Sequence, residues 1–172
     1  MSDPLIVVLV ATIIIVQRLA ELRLARRNET LVRARGAVEY GASHYPLFFV
    51  LHTVWLLGWI GEAWLHGPVL DRAWPLWLLL FAAAQALRYW AILSLGERWN
   101  TRILIVPGEP PIRRGPYRYL RHPNYLAVAA ELASVPLLFG SWLTALIATV
   151  LNAALLLAVR IPAEERALRS NP

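Results

Sequence analysis

Five apolar runs, separated by polar segments rich in arginine, set the pattern of this chain. The first begins at Leu5 and is almost wholly apolar to Val16, and apolar residues then recur at helical spacing as far as Leu24. The others cover residues 46–64, 74–95, 123–139 and 142–159. A helix needs about 20 residues to cross a bilayer. The pattern therefore predicts an all-α integral membrane protein with about five transmembrane helices.

The turns between these runs refine the prediction. Gly140 and Ser141 alone join the last two runs, which predicts a tight turn and a C-terminal helical hairpin. The first run does not read as a signal peptide, because Asp3 but no arginine precedes it and no small-residue cleavage site follows. We expect a retained first helix that continues as an amphipathic helix, with Arg18 and Arg23 reaching the interface. No repeat or linker interrupts residues 1–172, so we expect a single membrane-embedded domain.

Arginine placement predicts the orientation in the membrane. Residues 18–45 and 96–122 hold six arginines each, the tail from residue 160 holds three, and the loop 66–73 holds one. Five crossings put the three basic segments on one side, which is the cytoplasm by the positive-inside rule. We therefore expect the N-terminus outside.

Composition narrows the classes of function. Hydrophobic residues make up 58% of the chain and charged residues 16%, whereas soluble domains average about a quarter charged. All 17 basic residues are arginines that lie mainly between apolar runs, which favours anionic lipid over nucleic acid as their partner. The lack of cysteine excludes disulfides and thiolate chemistry. The four histidines form no metal-ligand pair, and the glycines form no nucleotide-binding motif, so we expect no metal site.

The polar stretch 113–125 is the first candidate site. Pro123 suits the first position of a helix. The free N–H groups and positive dipole of that helix end would then suit a carboxylate or phosphate. The neighbouring polar residues are Arg121, His122 and Asn124. The tyrosines Tyr117, Tyr119 and Tyr125 add flat rings, which suit an adenine ring or a sulfonium cation. The alternative is a basic loop that touches lipid headgroups. It suffices for any one arginine but not for the whole set.

Two further groups of residues stand out. Arg160 and Glu164 share a helical face, although Pro162 removes a hydrogen bond and is expected to kink that helix; the alternative is a surface salt bridge, worth little. Arg88 and Glu131 lie within apolar runs, where ionisable groups are expensive and face a partner or a cavity. We expect either an Arg88–Glu131 ion pair or a polar lining for a substrate cavity. A third alternative is that the Arg88 side chain extends to the membrane interface. Polar residues of less weight are Gln85 and Asn152 within the spans, and His44, His52 and Glu62, which we expect to be interfacial or packed.

The order of these motifs resembles the isoprenylcysteine carboxyl methyltransferase family. The resemblance lies in Gly115-Pro116-Tyr117, then Arg121-His122-Pro123-Asn124-Tyr125, a helical hairpin, and Arg160 before Glu164-Glu165. It covers about residues 112–168, roughly a third of the chain, in matching order and spacing. The family comprises integral membrane enzymes that methylate lipophilic acceptors with S-adenosylmethionine. Segments 17–29 and 36–46 are similar to a bacterial branch associated with alkylpyrone or alkylresorcinol O-methylation, which implies the bacterial inner membrane.

The resemblance also implies roles for particular residues. Residues 4–95 would supply the N-terminal spans, and residues 96–172 a cytoplasmic site for S-adenosylmethionine. The implied cofactor-binding residues are Ile112, Tyr117, His122, Pro123, Asn124, Tyr125 and Glu164. The implied catalytic residues near the acceptor are Arg121, Arg160 and Glu165. The substrate-binding residues that we predict are Arg160, Glu131 and Arg88.

The sequence thus predicts an S-adenosylmethionine-dependent O-methyltransferase whose acceptor offers a carboxylate, enol or phenol oxygen. Two departures from the eukaryotic members argue against prenylcysteine recognition, and isoprenylcysteine-like and alkylpyrone- or alkylresorcinol-like acceptors both stay open. The chain has Glu109-Pro110-Pro111-Ile112 where those members have His-Xaa-Leu-Val, and it ends soon after Glu165. One alternative is an NADPH-dependent reductase of the sterol-reductase type, which carries an Arg-His-Xaa-Asn-Tyr-like turn; another is a non-enzymatic lipid-binding protein. The cluster at Arg160 favours methyl transfer.

Overall fold

The computed structural model describes residues 4–170, so Asp3 and the terminal residues 1–2 and 171–172 lie outside the described part of the chain. Six α-helices make up most of this part. They are α1 (Pro4–Ala34), α2 (Tyr45–Leu65), α3 (Trp74–Leu95), α4 (Pro123–Leu138), α5 (Trp142–Leu155) and α6 (Ile161–Arg169). Two three-residue strands, β1 (Val38–Tyr40) and β2 (Ile103–Ile105), pair antiparallel, with Val38 opposite Ile105. The prediction of a mainly α-helical membrane protein with a C-terminal hairpin agrees with this architecture.

Four helical stretches are long and apolar enough to cross a membrane: residues 4–34, 42–65, 74–98 and 142–169. The fourth predicted span is α4, which has 16 residues and so rises about 24 Å, less than the roughly 20 residues that a crossing needs. Most of α4 is buried, including Glu131, Leu132 and Val135. It is therefore a central helix that the longer helices surround, rather than a lipid-facing one.

A hydrophobic core joins α2 to α4 and to the turn that follows α4. Trp59 of α2 is fully buried and stacks on Phe139 at 5.3 Å between ring centroids. Trp55 donates its indole N–H to the carbonyl of Leu132 across 3.0 Å. At the turn after α4, Ser141 Oγ donates to the carbonyl of Trp59 across 3.1 Å. The hairpin of α4 and α5 is thus fastened to α2.

A carboxylate from α2 caps the start of α5. The Glu62 carboxylate accepts the backbone N–H groups of Leu143 (3.0 Å) and Thr144 (2.8 Å), and also the Thr144 hydroxyl (2.7 Å). These N–H groups have no partner within their own helix, and a negative charge there is favourable for the helix dipole. The prediction of an interfacial or packed Glu62 agrees with this position.

The opposite end of the bundle is rich in arginine and is closed by polar contacts. Asn28, near the end of α1, donates to the carbonyls of Trp99 (2.8 Å) and Gly96 (3.2 Å) beyond α3. Glu39 of β1 accepts hydrogen bonds at 2.5 Å from both Arg102 and Arg33. Burial alone would raise the pKa of Glu39, but these two guanidinium groups hold it below its ordinary value. The strand pair therefore stays ionically tied to the end of α1 at neutral pH.

Gly115 begins the turn that carries Tyr117, and we expect replacing it with alanine to cost more than its backbone strain alone. Its φ is +57°, and an added Cβ would lie 1.9 Å from Ser94 Oγ on α3. Gly36 is the matched control, because it also has a positive φ (+84°) but nothing within 4 Å of an added Cβ. Gly36→Ala should cost about 1–2 kcal/mol. Thermal unfolding in detergent should show a clearly larger loss for Gly115→Ala, and equal losses would contradict the close contact.

Candidate functional site

The start of α4 meets the end of the last helical stretch at the arginine-rich end of the bundle. Tyr125, in the first turn of α4, donates its hydroxyl to the Glu164 carboxylate of α6. The same hydroxyl accepts a hydrogen bond from Arg160 Nε across 3.1 Å. We call Tyr125, Arg160, Glu164 and His122 the clasp. The structure therefore brings together two motifs that lie 35 or more residues apart in the sequence.

Arg160 is a buried cation whose described hydrogen bonds and ring contact are with neutral groups. It is 7% exposed, and besides Tyr125 its guanidinium donates to the carbonyl of Thr101 across 2.8 Å. Its carbon atom Cζ lies 5.7 Å from the ring centroid of Phe48. Within residues 4–170, no carboxylate forms a salt bridge with it. Buried charges in proteins are usually paired, so this guanidinium is suited to an anionic oxygen that is not part of the chain.

His122 and Glu165 extend the clasp towards the surface. His122 Nδ1 lies 3.9 Å from Glu164 Oε2, and its Nε2 lies 3.7 Å from Glu165 Oε1. The His122 ring stacks on Tyr125 with 5.4 Å between centroids. Arg121 is exposed, and its NH1 is 3.5 Å from Glu165. Most of the predicted cofactor-binding and catalytic residues thus occupy one region.

Two buried polar atoms at the start of α4 have no hydrogen-bond partner within the described chain. They are His122 Nε2 and Asn124 Oδ1. Pro123 occupies the beginning of the helix, as predicted, and is buried. Unpaired buried polar atoms are uncommon and call for an explanation. A ring nitrogen and an amide oxygen left open beside the Glu164 carboxylate fit a ligand with both polar and cationic parts.

Tyr117 and Ile112 lie in different surroundings. Burial and the negative charge of Glu164 raise the pKa of the Tyr117 phenol, so it is neutral at physiological pH and lies near the clasp. Ile112 instead lines an open groove with Gly96, Arg98 and Arg114. No described contact joins Ile112 to the clasp, and its role in cofactor binding stays a prediction.

Arg88 and Glu131 belong to a buried network of four charges, which we call the charge network. Arg88 donates to both oxygens of Glu21, from Nε across 2.7 Å and from NH2 across 2.5 Å. Its NH1 lies 3.6 Å from Glu131 Oε2. Arg18 completes the ring by donating to Glu21 (2.7 Å) and to Glu131. The side chains of Glu131, Arg88 and Glu21 are at most 8% exposed. The expected Arg88–Glu131 pair exists, but Glu21 is the nearer partner of Arg88.

The sequence analysis missed part of both groups. It treated Arg18 as a snorkelling residue and did not consider Glu21, although their spacing of three residues in a run of apolar neighbours places them on one helical face. It also did not anticipate that Thr101 would bind Arg160. The disturbance expected from Pro162 takes the form of a π-helical turn at Leu156–Arg160, a feature that often occurs at functional sites.

One family and two relatives match this chain. A model described as the isoprenylcysteine carboxyl methyltransferase (ICMT) family matches residues 77–170. An uncharacterized Bacillus subtilis protein, YpbQ, is 42% identical over 161 residues, which cover 94% of this chain and 95% of that protein. An uncharacterized Haemophilus influenzae protein is 31% identical over 152 residues, 88% of each chain. No solved structure matches.

Proposed function

Because the chain belongs to the isoprenylcysteine carboxyl methyltransferase family, whose members are membrane methyltransferases, we propose that it transfers a methyl group from S-adenosylmethionine to an oxygen atom of a lipophilic acceptor. The observation that carries this proposal is the clasp. Within residues 4–170, the buried Arg160 guanidinium has no carboxylate partner and the Glu164 carboxylate lies beside two unpaired polar atoms, and the Tyr125 hydroxyl joins these two charges. A cation and an anion side by side suit the two reactants of this transfer, because the acceptor oxygen becomes negative and the donor carries positive charge.

In this proposal the chain crosses the membrane five times, with its N-terminus outside and the clasp on the cytoplasmic side. Tyr125 near the start of α4 contacts Arg160, and Ser141 after α4 contacts Trp59 at the other end of the bundle. Residues 125–141 therefore extend about as far through the bundle as the longer stretch 142–160 beside them. Apart from Arg72 and the network residues Arg18 and Arg88, we place the arginines on the clasp side, as the positive-inside rule requires of a cytoplasmic face. We assign the protein to the bacterial inner membrane.

The residues around Glu164 suit the donor. S-adenosylmethionine supplies an electrophilic sulfonium methyl and carries a cationic amino group. The Glu164 carboxylate suits that amino group, and the aromatic faces of Tyr117 and Tyr125 suit the sulfonium. The open atoms of His122 and Asn124 suit the polar edge of the adenine or the ribose. We propose that Pro123, which begins α4, and Ile112 also contact the cofactor, through their apolar side chains.

The residues around Arg160 suit the acceptor. Its guanidinium is held by Thr101 and Tyr125, which fixes the direction of its remaining N–H groups. Donors aimed at an oxygen on which negative charge develops are among the largest contributions to catalysis. Arg121 and Glu165 lie on the exposed side, where they can contact the acceptor or the departing product. Arg88 and Glu131 are the deeper polar groups proposed to contact the acceptor.

Calorimetry of the purified protein in lipid nanodiscs tests this function. We expect S-adenosylhomocysteine to bind with micromolar affinity and NADPH not to bind. Glu164→Gln should weaken binding by about 10- to 100-fold, because a charge-assisted hydrogen bond is worth about 1.5–3 kcal/mol. Glu97→Gln is the matched control, an exposed carboxylate at the same end, and should bind as the wild type does. Binding of NADPH alone would indicate a reductase, and binding of neither ligand a lipid-binding protein.

A further inference from the structure

An open groove at the arginine-rich end of the bundle has no part in the clasp. Its volume is about 700 Å³, within the range of roughly 300–1,000 Å³ that is usual for ligand sites. Leu95, Pro110 and Pro111 form part of its apolar wall, and its described lining includes none of the four clasp residues. Its charged lining residues are Arg35, Arg98, Arg113, Arg114 and Glu97. The excess of positive charge makes the groove a candidate site for an anion.

Two of the four arginines are paired with carboxylates of the chain. Arg98 NH2 lies 2.6 Å from Glu109 Oε2, and its NH1 donates to the carbonyl of Pro110 across 2.6 Å. Arg35 lies 3.6 Å from Glu97 and 3.6 Å from Glu109. These contacts hold one wall of the groove together, and the two carboxylates balance the charge of these two arginines.

The other two arginines of the groove lack such a partner. Within residues 4–170, no carboxylate forms a salt bridge with Arg113 or Arg114. Arg114 Nε donates to the carbonyl of Ser94 across 2.7 Å, which fixes this side chain at the end of α3. Guanidinium groups bind phosphate through paired, charge-assisted hydrogen bonds. The net positive charge of S-adenosylmethionine, by contrast, is unfavourable beside two unpaired arginines.

The groove lies where α3 reaches the membrane interface. It begins at Leu95, the last residue of α3, and α3 belongs to a stretch long and apolar enough to cross a membrane. In the last two turns of α3, Tyr89, Trp90 and Leu93 are exposed, Leu93 by 76%. Tyrosine and tryptophan are enriched where membrane spans meet the headgroups, and the exposed leucine suits acyl chains. A phosphate in the groove can therefore belong to a lipid whose chains lie along α3.

We propose that this groove binds the phosphate of an anionic phospholipid from the surrounding leaflet, such as phosphatidylglycerol. Arg113 and Arg114 contact the phosphate, and the acyl chains follow the exposed side of α3. Basic pockets at the ends of membrane helices are typical sites for lipid headgroups. The bound lipid holds segment 110–114, which leads directly into the turn at Gly115, against the membrane surface. This inference is independent of the proposed methyl transfer.

Native mass spectrometry of the protein in detergent tests the binding. With phosphatidylglycerol and phosphatidylcholine added in equal amounts, the wild type should retain phosphatidylglycerol preferentially. Arg113→Gln/Arg114→Gln should bind it about 30-fold more weakly, because each basic residue near anionic headgroups contributes about a factor of five. Arg26→Gln/Arg27→Gln is the matched control, since it removes two adjacent exposed arginines outside the groove, and should resemble the wild type. Equal losses in the two double variants would overturn the site.

A photoactivatable phosphatidylglycerol locates the site in the wild type, without any variant. A crosslinker on its headgroup should label residues 93–98 or 110–114, and labelling confined to other segments would overturn the proposal. Excess soluble glycerol phosphate should leave this labelling unchanged, and its loss would show that the ligand is a soluble phosphate compound rather than a lipid.

Binding of S-adenosylhomocysteine to the same variants separates this groove from the cofactor site, because Ile112 also lines the groove. Calorimetry should give the same affinity for Arg113→Gln/Arg114→Gln as for the wild type. A variant that keeps phosphatidylglycerol but loses S-adenosylhomocysteine would assign the groove to the cofactor and overturn the lipid site. Failure of the wild type to bind S-adenosylhomocysteine, with lipid labelling intact, would overturn the proposed function and support the lipid site alone.

Discussion

Arg160→Ala should lower the rate of methyl transfer by about 10²- to 10³-fold, the loss expected when a donor to a developing oxyanion is removed. Binding of S-adenosylhomocysteine should change far less, because the donor is assigned to the Glu164 side of Tyr125. The fold should remain, since the partners of Arg160 are a carbonyl, a hydroxyl and a ring rather than a buried carboxylate. Radiolabelled methyl transfer into a lipid extract measures the rate, and calorimetry measures binding.

Two conservative variants separate charge from geometry at this position. Arg160→Lys keeps the positive charge but loses the planar fork that binds Thr101 and Tyr125 together. It should therefore recover only part of the activity. Arg166→Lys lies one and a half turns further on, is exposed, and should be silent. Near-normal activity of Arg160→Ala would remove this residue from the site.

Glu21→Ala should lower the free energy of unfolding by about 3–5 kcal/mol, the usual result of deleting one partner of a buried ion pair. In this variant Arg88 loses two hydrogen bonds and Arg18 loses one. Glu131 is then the carboxylate that remains to neutralise both guanidinium groups within the charge network. Chemical or thermal unfolding in detergent measures the loss.

Glu29→Ala is the surface control on the same helix. Glu29 pairs with Arg33 across 2.8 Å, and deleting an exposed pair should cost about 0–1 kcal/mol. The double variant Glu21→Ala/Arg88→Met should lose less free energy of unfolding than Glu21→Ala alone, because it removes the buried cation together with its partner. Equal losses for Glu21→Ala and Glu29→Ala would show that the charge network is not buried in the membrane as described.

The helices could be predicted because each is written in consecutive residues. Apolar runs located all five long helices to within a few residues at most ends, except that α1 continues ten residues beyond Leu24. The position of α4 was harder to predict, because residues 123–139 are apolar enough to face lipid but pack against other helices instead. Hydropathy measures how apolar a segment is, and it does not say whether lipid or protein surrounds it. The pairing of β1 with β2 likewise joins distant segments, since Glu39 and its partner Leu104 are 65 residues apart, and no local pattern reveals such a pairing.

The clasp and the charge network differ in how far sequence reasoning reached. His122, Tyr125 and Glu164 stand out as polar residues at the ends of apolar runs, so their meeting depended only on the hairpin that Gly140 and Ser141 make. The partners of Arg88 depended on which helix packs beside α3, and that is decided by side-chain packing across the whole bundle. His44 was expected to be packed or interfacial, and its ring meets that of Phe48 edge-on with 6.3 Å between centroids.

The charge network also has a consequence for how the protein is made. Arg18 and Glu21 emerge from the ribosome with the first span, but Arg88 lies 67 residues after Glu21, and Glu131 lies 113 residues after Arg18. Until those later segments are inserted, Arg18 and Glu21 have only each other as ion-pair partners. Placing a charged residue near the centre of a membrane helix costs about 2.5–3.5 kcal/mol. The ion pairs of Arg88 and Glu131 with α1 can therefore offset this cost only after α3 and α4 have been inserted beside it.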